Sequence, residues 1–209
     1  NVINATIGAL TDDDGNIIPP ALFISVLENS GKILELDWYV MRYVFAKIRE
    51  WLDEGKTPKR VSINLSKLHF YYDNLVNDII AEFDSYNISP EYIEFEVTES
   101  VFFEEAQLII NKIEKLRERG FRVSVDDFGA GYSSLNSLKE MHIDVLKIDA
   151  DFFRGADVEE RGMLIVSEVI DLAKKLNMKI VAEGIESREQ VDFLTEQECD
   201  LIQGYFFAK

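Results

Sequence analysis

Short runs of β-branched and other apolar residues alternate along this chain with longer stretches of helical periodicity, and this alternation limits the folds open to it. Each run is rich in Val and Ile, as expected of strands. The predicted strands are Arg60–Asn64, Tyr92–Val97, Arg122–Asp126, Val145–Asp149, Lys179–Glu183 and Leu201–Gly204.

The stretches between these runs carry apolar residues on one helical face. One predicted helix spans 106–116 and ends at Gly120, a second spans 41–52 and ends at Gly55, and a third spans 164–176. Strands that alternate with helices at this interval predict a parallel sheet with helices packed outside it. An open doubly wound sheet and a (β/α)8 barrel both satisfy this pattern. Since no linker or repeat interrupts it, we expect a single domain.

Polar residues end every predicted strand. In a barrel these carboxyl ends converge on the face that carries the active site. Helix capping does not explain the pattern, because caps favour Ser, Thr, Asp and Asn over Glu, Lys and Gln. The strand-end residues that together predict a functional site are Asn64, Glu96, Asp126, Asp127, Lys147, Asp149, Glu183 and Gln203.

The residue types at these strand ends indicate a hard cation. Carboxylate and amide oxygens without His or Cys suit Mg²⁺ or Mn²⁺. Adjacent acids such as Asp126 and Asp127 repel each other unless cations lie beside them, and such a pair can address two metals in phosphoester hydrolysis. Lys147 would orient or deprotonate a water or neutralise phosphoryl charge, or else form a salt bridge that holds the carboxylates apart. His69 and His142 lie away from strand ends, so we expect structural or surface roles for them.

Charge and composition exclude several classes of protein. A formal net charge of −17 argues against a nucleic-acid polymer as partner, because such binders need a basic surface. No apolar run is long enough for a membrane segment. Cys199 is the only cysteine, so no internal disulfide forms and we expect a cytoplasmic location.

Six motifs, in order, resemble those of the EAL-domain family. They are Asn64-Leu65-Ser66, Glu96–Ser100, Asp126–Leu135, Lys147-Ile148-Asp149, Ala182–Glu186 and Gln203-Gly204-Tyr205. The resemblance implies an α/β fold, a TIM-like (β/α)8 barrel of the EAL type. It also implies hydrolysis of cyclic di-GMP to linear pGpG with two Mg²⁺ or Mn²⁺ ions, within bacterial second-messenger signalling.

The resemblance further implies roles for individual residues. The implied metal ligands are Asn64, Glu96, Asp126, Asp127 and Glu183. The implied catalytic residues are Lys147, which would position or activate water, Asp149 and Glu183. The implied substrate-binding residues are Glu186, Gln203 and Tyr132. A loop that shapes the metal site and a homodimer surface would comprise Phe128, Gly129, Gly131, Ser133 and Ser134, with Glu99 anchoring it. Cyclase or sensory domains would be attached in the full protein.

The sequence departs from the family pattern near its beginning. The Glu-Ala-Leu stretch that names the family, and whose Glu is a metal ligand there, does not occur in this chain. If the family spacing is kept, counting back from Pro19-Pro20 places Ala5 where the Glu belongs. A second alignment fits better, in which residues 6–9 resemble the segment before the motif and residues 10–15 the segment after it, and on this alignment we expect residues to be missing between Ala9 and Leu10. On the same comparison, we expect the family's first strand to be missing upstream. We therefore expect one EAL domain over residues 1–209, N-terminally incomplete and with a gap between residues 9 and 10.

Two explanations of this gap are open. Either the intervening residues are disordered and omitted from this chain, or the motif has been lost together with one metal ligand and turnover. We favour omission because the other site residues are present. Loss of the motif would instead make the chain a catalytically inactive receptor for cyclic di-GMP or a protein-interaction module. A barrel enzyme for another phosphoester would require all six motifs to coincide on a different substrate.

Omission of residues predicts that Ala9 and Leu10 are not joined by a peptide bond. Their Cα atoms should then lie much farther apart than the about 3.8 Å of bonded neighbours. The full coding sequence around Ala9 gives the direct measurement. An uninterrupted sequence from Ala9 to Leu10 would contradict this explanation.

Overall fold

A computed structural model describes residues 2–5, 10–11, 14–103, 106–129, 142–149 and 159–207. It divides into two compact units, the first formed by residues 1–97 and 107–122 and the second by residues 98–106 and 123–209. A single domain over residues 1–209 therefore stays a prediction. Ala9 lies outside the described residues, so its separation from Leu10 stays a prediction as well.

Parallel strands form the centre of the first unit. Strands β1 (Val2–Ala5), β4 (Arg60–Asn64) and β5 (Ile93–Thr98) pair in parallel, with β4 between the other two. Strands β2 (Leu10–Thr11) and β3 (Ile17–Ile18) form a separate antiparallel pair. β4 and β5 confirm the predicted strands. The sequence did not indicate β1, β2 or β3, because runs of two to four residues are too short to show a period.

Four helices are described in the first unit. They are α1 (Pro20–Ser30), α2 (Ile33–Asp53), α3 (Leu75–Asp84) and α4 (Ala106–Glu118), with 3₁₀ turns at Lys67–Tyr71 and Pro90–Tyr92. The helices expected before Gly55 and Gly120 are confirmed. These two glycines have φ angles of 73° and 103°, the left-handed conformation that commonly follows a helix.

Aromatic side chains fill the core of the first unit. Phe83 from α3 packs edge-to-face against Phe45 from α2 and against Phe121, at ring distances of 5.3 and 4.8 Å. Phe95 from β5 meets the same Phe121 ring at 5.2 Å. Edge-to-face rings fill the space between helices and strands while placing ring edges on ring faces, which the aromatic quadrupole favours.

The described part of the second unit contains four parallel strands in sequential order. They are β6 (Arg122–Phe128), β7 (Val145–Ile148), β8 (Lys179–Ala182) and β9 (Leu201–Ile202). Helices α5 (Glu159–Lys175) and α6 (Arg188–Glu196) and a 3₁₀ turn at Glu99–Phe103 belong to the same unit. These strands confirm the predicted ones, except that β6 continues for two residues beyond its predicted end at Asp126. Among the described residues, every helix is too short or too polar to cross a bilayer.

One predicted apolar stripe is wrong in part. Leu164 and Ile165 of α5 were expected on its buried face, but they are 63% and 50% exposed. Val169, Ile170 and Ala173 of the same predicted stripe are buried, together with Val166. These positions follow the helical spacing of three and four residues, which turns Leu164 and Ile165 away from the core.

Gly204, just past β9, lies against the main chain of Ile185. The N–H of Ile185 donates to the carbonyl of Gln203 at 3.1 Å, and the N–H of Phe206 donates to the carbonyl of Ile185 at 3.0 Å. A Cβ atom at Gly204 would lie 2.1 Å from the Ile185 carbonyl oxygen. Only glycine therefore fits where these two segments cross.

We expect Gly204→Ala to destabilise the protein, because relieving this overlap requires two main-chain segments to separate. Overpacking of this kind costs about 1–3 kcal/mol of unfolding free energy. Gly55→Ala is the matched control: its φ of 73° is also unfavourable for alanine, but nothing lies within 4 Å of the added Cβ. Urea denaturation of both variants gives the comparison. A Gly204→Ala loss no larger than that of Gly55→Ala would contradict the overlap argument.

Candidate functional site

Asn64 and Glu96 are neighbours at the carboxyl ends of β4 and β5. They are partners in the parallel register, and the N–H of Leu65 donates to the Glu96 carbonyl at 2.8 Å. Asn64 is exposed, whereas the Glu96 side chain is buried. The first unit thus places one amide and one carboxylate side by side at the carboxyl ends of two adjacent strands.

A side chain of helix α2, Asp37, stabilises the turn after Asn64. The Asp37 carboxylate oxygen Oδ2 accepts the N–H of Ser66 at 3.0 Å. The same oxygen lies 3.1 Å from Nε2 of the buried His69. His69 therefore has the structural role that was expected, and Asp37 is a support that sequence reasoning missed, because 29 residues separate it from Ser66.

Ser62 is a second residue that sequence reasoning missed. Its hydroxyl donates to Oε2 of Glu96 at 2.6 Å in the interior of the first unit. Ser62 lies two residues before Asn64 on β4, so the two share one face of the strand. That period of two was the available signal, although it did not identify a partner for the hydroxyl.

The two consecutive acids of β6 lie in a β-bulge. The register with β7 shifts between Val125, opposite Leu146, and Phe128, opposite Ile148. Asp126 and Asp127 therefore face the single residue Lys147. Asp127 has a φ of 55°, a left-handed conformation that is unusual outside glycine and that Asp tolerates better than most residues. Bulges often re-aim side chains beside functional sites.

Lys147 lies between two carboxylates of the second unit. Its Nζ is 3.1 Å from Oδ1 of Asp126 and 2.9 Å from Oε1 of Glu183. The Lys147 side chain is only 6% exposed, so its charge is matched by these acids rather than by bulk water. The salt bridge that the sequence left open as one role of Lys147 is present.

Glu183 stands directly after β8, where burial raises the pKa of its carboxyl above the ordinary value and the nearby Lys147 ammonium opposes that rise. Asp126 and Asp127 raise the same pKa further by repulsion. The N–H of Glu183 donates to the Ile148 carbonyl at 2.9 Å, which fixes its position beside the end of β7. Four charged groups thus influence one another at the ends of β6, β7 and β8.

Glu99 holds the segment that follows the bulge. Its Oε2 accepts the N–H of Gly129 at 3.1 Å, and its side chain is buried. Phe128, the residue before Gly129, is also buried. The other residues assigned to this loop or to substrate binding within it lie outside the described residues: Gly131, Tyr132, Ser133 and Ser134.

The remaining candidates follow the ends of β7, β8 and β9. Asp149 comes directly after β7 and is half-buried. Gln203 is exposed, and its N–H donates to the Ala182 carbonyl at 2.8 Å. Glu186 is exposed, with its N–H bonded to Oε1 of Gln190 at 2.9 Å. Their roles in catalysis and substrate binding stay predictions.

The donor set fits a divalent cation by its chemistry, since carboxylate and amide oxygens are the ligands that hard cations take. No three His, Cys, Asp or Glu side chains in the described ranges are grouped closely enough to hold a metal ion as they stand. In the second unit, the Lys147 ammonium already engages Asp126 and Glu183. Metal binding by these acids therefore stays a prediction.

The sequence profile of the EAL domain matches residues 5–209. The chain belongs to the EAL domain family. A solved structure described as the PaMucR phosphodiesterase in complex with c-di-GMP is 33% identical, with a TM-score of 0.86 over 96% of this chain and 81% of that one. The predicted TIM-like (β/α) fold class of this EAL domain is thereby confirmed.

Two curated relatives come from Pseudomonas aeruginosa. The cyclic di-GMP phosphodiesterase NbdA is 35% identical over 92% of this EAL domain. The bifunctional diguanylate cyclase/cyclic di-GMP phosphodiesterase MucR is 34% identical over the same share. The chain spans only 25% and 28% of the length of these two proteins.

We expect Lys147→Met to destabilise this EAL domain, because Asp126 and Glu183 would lose their shared cation. Removing one partner of a buried ion pair costs about 3 kcal/mol or more of unfolding free energy. Lys47→Met is the control: Lys47 pairs with Glu50 at 2.8 Å on the exposed surface of α2, where loss of a pair has little effect. Urea denaturation in EDTA measures both variants. Equal losses would show that the Lys147 pairs do not stabilise the fold.

Proposed function

We propose that this EAL domain hydrolyses cyclic di-GMP to linear pGpG, with water cleaving one of the two phosphodiester bonds. The observation that carries the proposal is the Lys147 ammonium held between Asp126 and Glu183 at three consecutive strand ends. Relatives that are named cyclic di-GMP phosphodiesterases, and a relative solved with c-di-GMP, support the choice of substrate.

Two Mg²⁺ or Mn²⁺ ions are the cofactors of this proposal. When bound, they would stabilise the attacking and leaving oxygens of the displacement and acidify a bound water. Asp127 supports their binding, because an exposed carboxylate on a bulge is accessible to a cation. The proposed ligands are Asn64, Glu96, Asp126, Asp127 and Glu183.

Lys147 has two tasks in this proposal. Its ammonium carries three N–H donors and no acceptor, so it orients a water by donating to its oxygen and offsets negative charge at the phosphorus. Its contacts with Asp126 and Glu183 keep that charge at the strand ends. Asp149, two residues further along the chain, assists Lys147 in positioning this water. Glu186 and Gln203, both exposed, are the proposed substrate contacts.

The setting of the domain is part of the proposal. MucR combines a diguanylate cyclase with a cyclic di-GMP phosphodiesterase, and this chain matches 28% of it. We propose that cyclase or sensory domains accompany this EAL domain in a cytoplasmic protein. A homodimer through the loop after Gly129 is the proposed assembly.

A second candidate function is a cyclic di-GMP receptor without turnover. It is favoured by one observation, the lack of a Glu-Ala-Leu stretch in the sequence and hence of one acidic ligand of the family. The remaining strand-end residues would then bind the dinucleotide without cleaving it.

Anion-exchange chromatography of pGpG separates the two functions. The chain incubated with cyclic di-GMP and Mn²⁺ should form pGpG, and EDTA should stop it. Lys147→Met and Glu183→Gln should each slow the reaction about 100-fold or more, as expected for lost proton-transfer or charge-stabilising groups. Lys47→Met on the exposed surface should match the unaltered chain.

If no pGpG forms, equilibrium dialysis of the same samples measures whether the chain still binds cyclic di-GMP. Binding of cyclic di-GMP without pGpG would replace the phosphodiesterase by the receptor. If the chain neither binds cyclic di-GMP nor forms pGpG, both functions are contradicted.

A further inference from the structure

The Ser62–Glu96 hydrogen bond is the feature of the first unit that the proposed function leaves without a role. The Ser62 hydroxyl and Glu96 Oε2 are 2.6 Å apart, and the two residues are 2% and 5% exposed. The distance falls within the about 2.5–2.7 Å typical of a hydroxyl bonded to an ionised carboxylate. A buried charge needs such a partner, because it has lost its hydration.

The strand register explains why Ser62 reaches Glu96. Ser62 is opposite Glu94 in the parallel pair, and Asn64 is opposite Glu96. The hydroxyl therefore bonds diagonally, two residues along β5, toward the carboxyl end of the sheet. On the other face of both strands, Val61, Ile63 and Phe95 are buried in the core, which holds the two strands in place. The bond fixes the direction of the carboxylate rather than the path of the chain.

We infer that Ser62 is a positioning residue that holds the Glu96 carboxylate in the orientation needed to bind a divalent cation. The inference rests on the proposed function in one respect, that Glu96 is a metal ligand. Side chains that orient metal ligands typically change metal affinity about 10- to 100-fold when they are removed. Without the hydroxyl, the Glu96 carboxylate would lose one of the contacts that fix its orientation.

Titration calorimetry with Mn²⁺, using the chain itself, tests this inference. Ser62→Ala should raise the Mn²⁺ dissociation constant about 10- to 100-fold. Ser62→Thr retains the hydroxyl and should restore most of the affinity. Ser124→Ala is the matched control, since Ser124 is also a buried strand serine but its Oγ has no hydrogen-bond partner within the described part of the chain. It should leave Mn²⁺ affinity unchanged.

A melting curve by circular dichroism accompanies each titration. Should Ser62→Ala fail to fold, Ser62→Cys takes its place, because it keeps a similar volume with only a weak donor. The expected loss of affinity is the same. Crystal structures of the folded variant should show the Glu96 carboxylate turned away from residue 62.

The outcomes separate this inference from the proposed function. Equal Mn²⁺ affinity of Ser62→Ala and the unaltered chain would overturn the positioning role, even if pGpG is formed. Weaker binding by Ser62→Ala without any pGpG formation would support the positioning role and contradict the phosphodiesterase. Absence of Mn²⁺ binding by the unaltered chain would overturn the positioning role, because Glu96 would then not be a metal ligand.

Discussion

The ammonium group of Lys147 is the constraint around which the second unit is arranged. A buried cation must be neutralised, and the two acids that do so come from β6 and from the residue after β8, on either side of β7. The three strand ends are therefore tied together by charge as well as by main-chain hydrogen bonds. The same requirement explains why the acids of this unit tolerate one another at short range.

The β-bulge is the geometric counterpart of that charge arrangement. In a regular strand Asp126 and Asp127 would point to opposite faces. With two residues facing one, Asp126 reaches Lys147 while the exposed Asp127 adopts a left-handed conformation. A backbone irregularity thus gives adjacent identical residues two different environments, one half-buried beside the Lys147 ammonium and one exposed.

Local patterns were sufficient to predict most strands, the helices that end at Gly55 and Gly120, and the acidic strand ends. The sequence indicated a salt bridge as one possible role of Lys147, and the structure contains that salt bridge. The partners of Asp37 and Ser62 could not be predicted, because they lie 29 to 34 residues away along the chain. The partner of Ser62 also depends on the register of β4 and β5. The bulge was missed for a related reason: an extra residue in β6 is defined only by its pairing with β7.

The crossing of Gly204 and Ile185 has a consequence for how this part of the chain can diverge. The turn after β9 is held by main-chain hydrogen bonds and by the lack of a side chain at one position. The Tyr205 and Phe207 side chains are exposed, and Phe207 contributes to the turn through its main-chain N–H, which donates to the Gly204 carbonyl at 3.1 Å. The hydrogen bonds of the turn are therefore made by main-chain atoms, so a change of side chain at Tyr205 leaves them in place, whereas a change at Phe207 also removes a ring contact of 5.2 Å with Phe206.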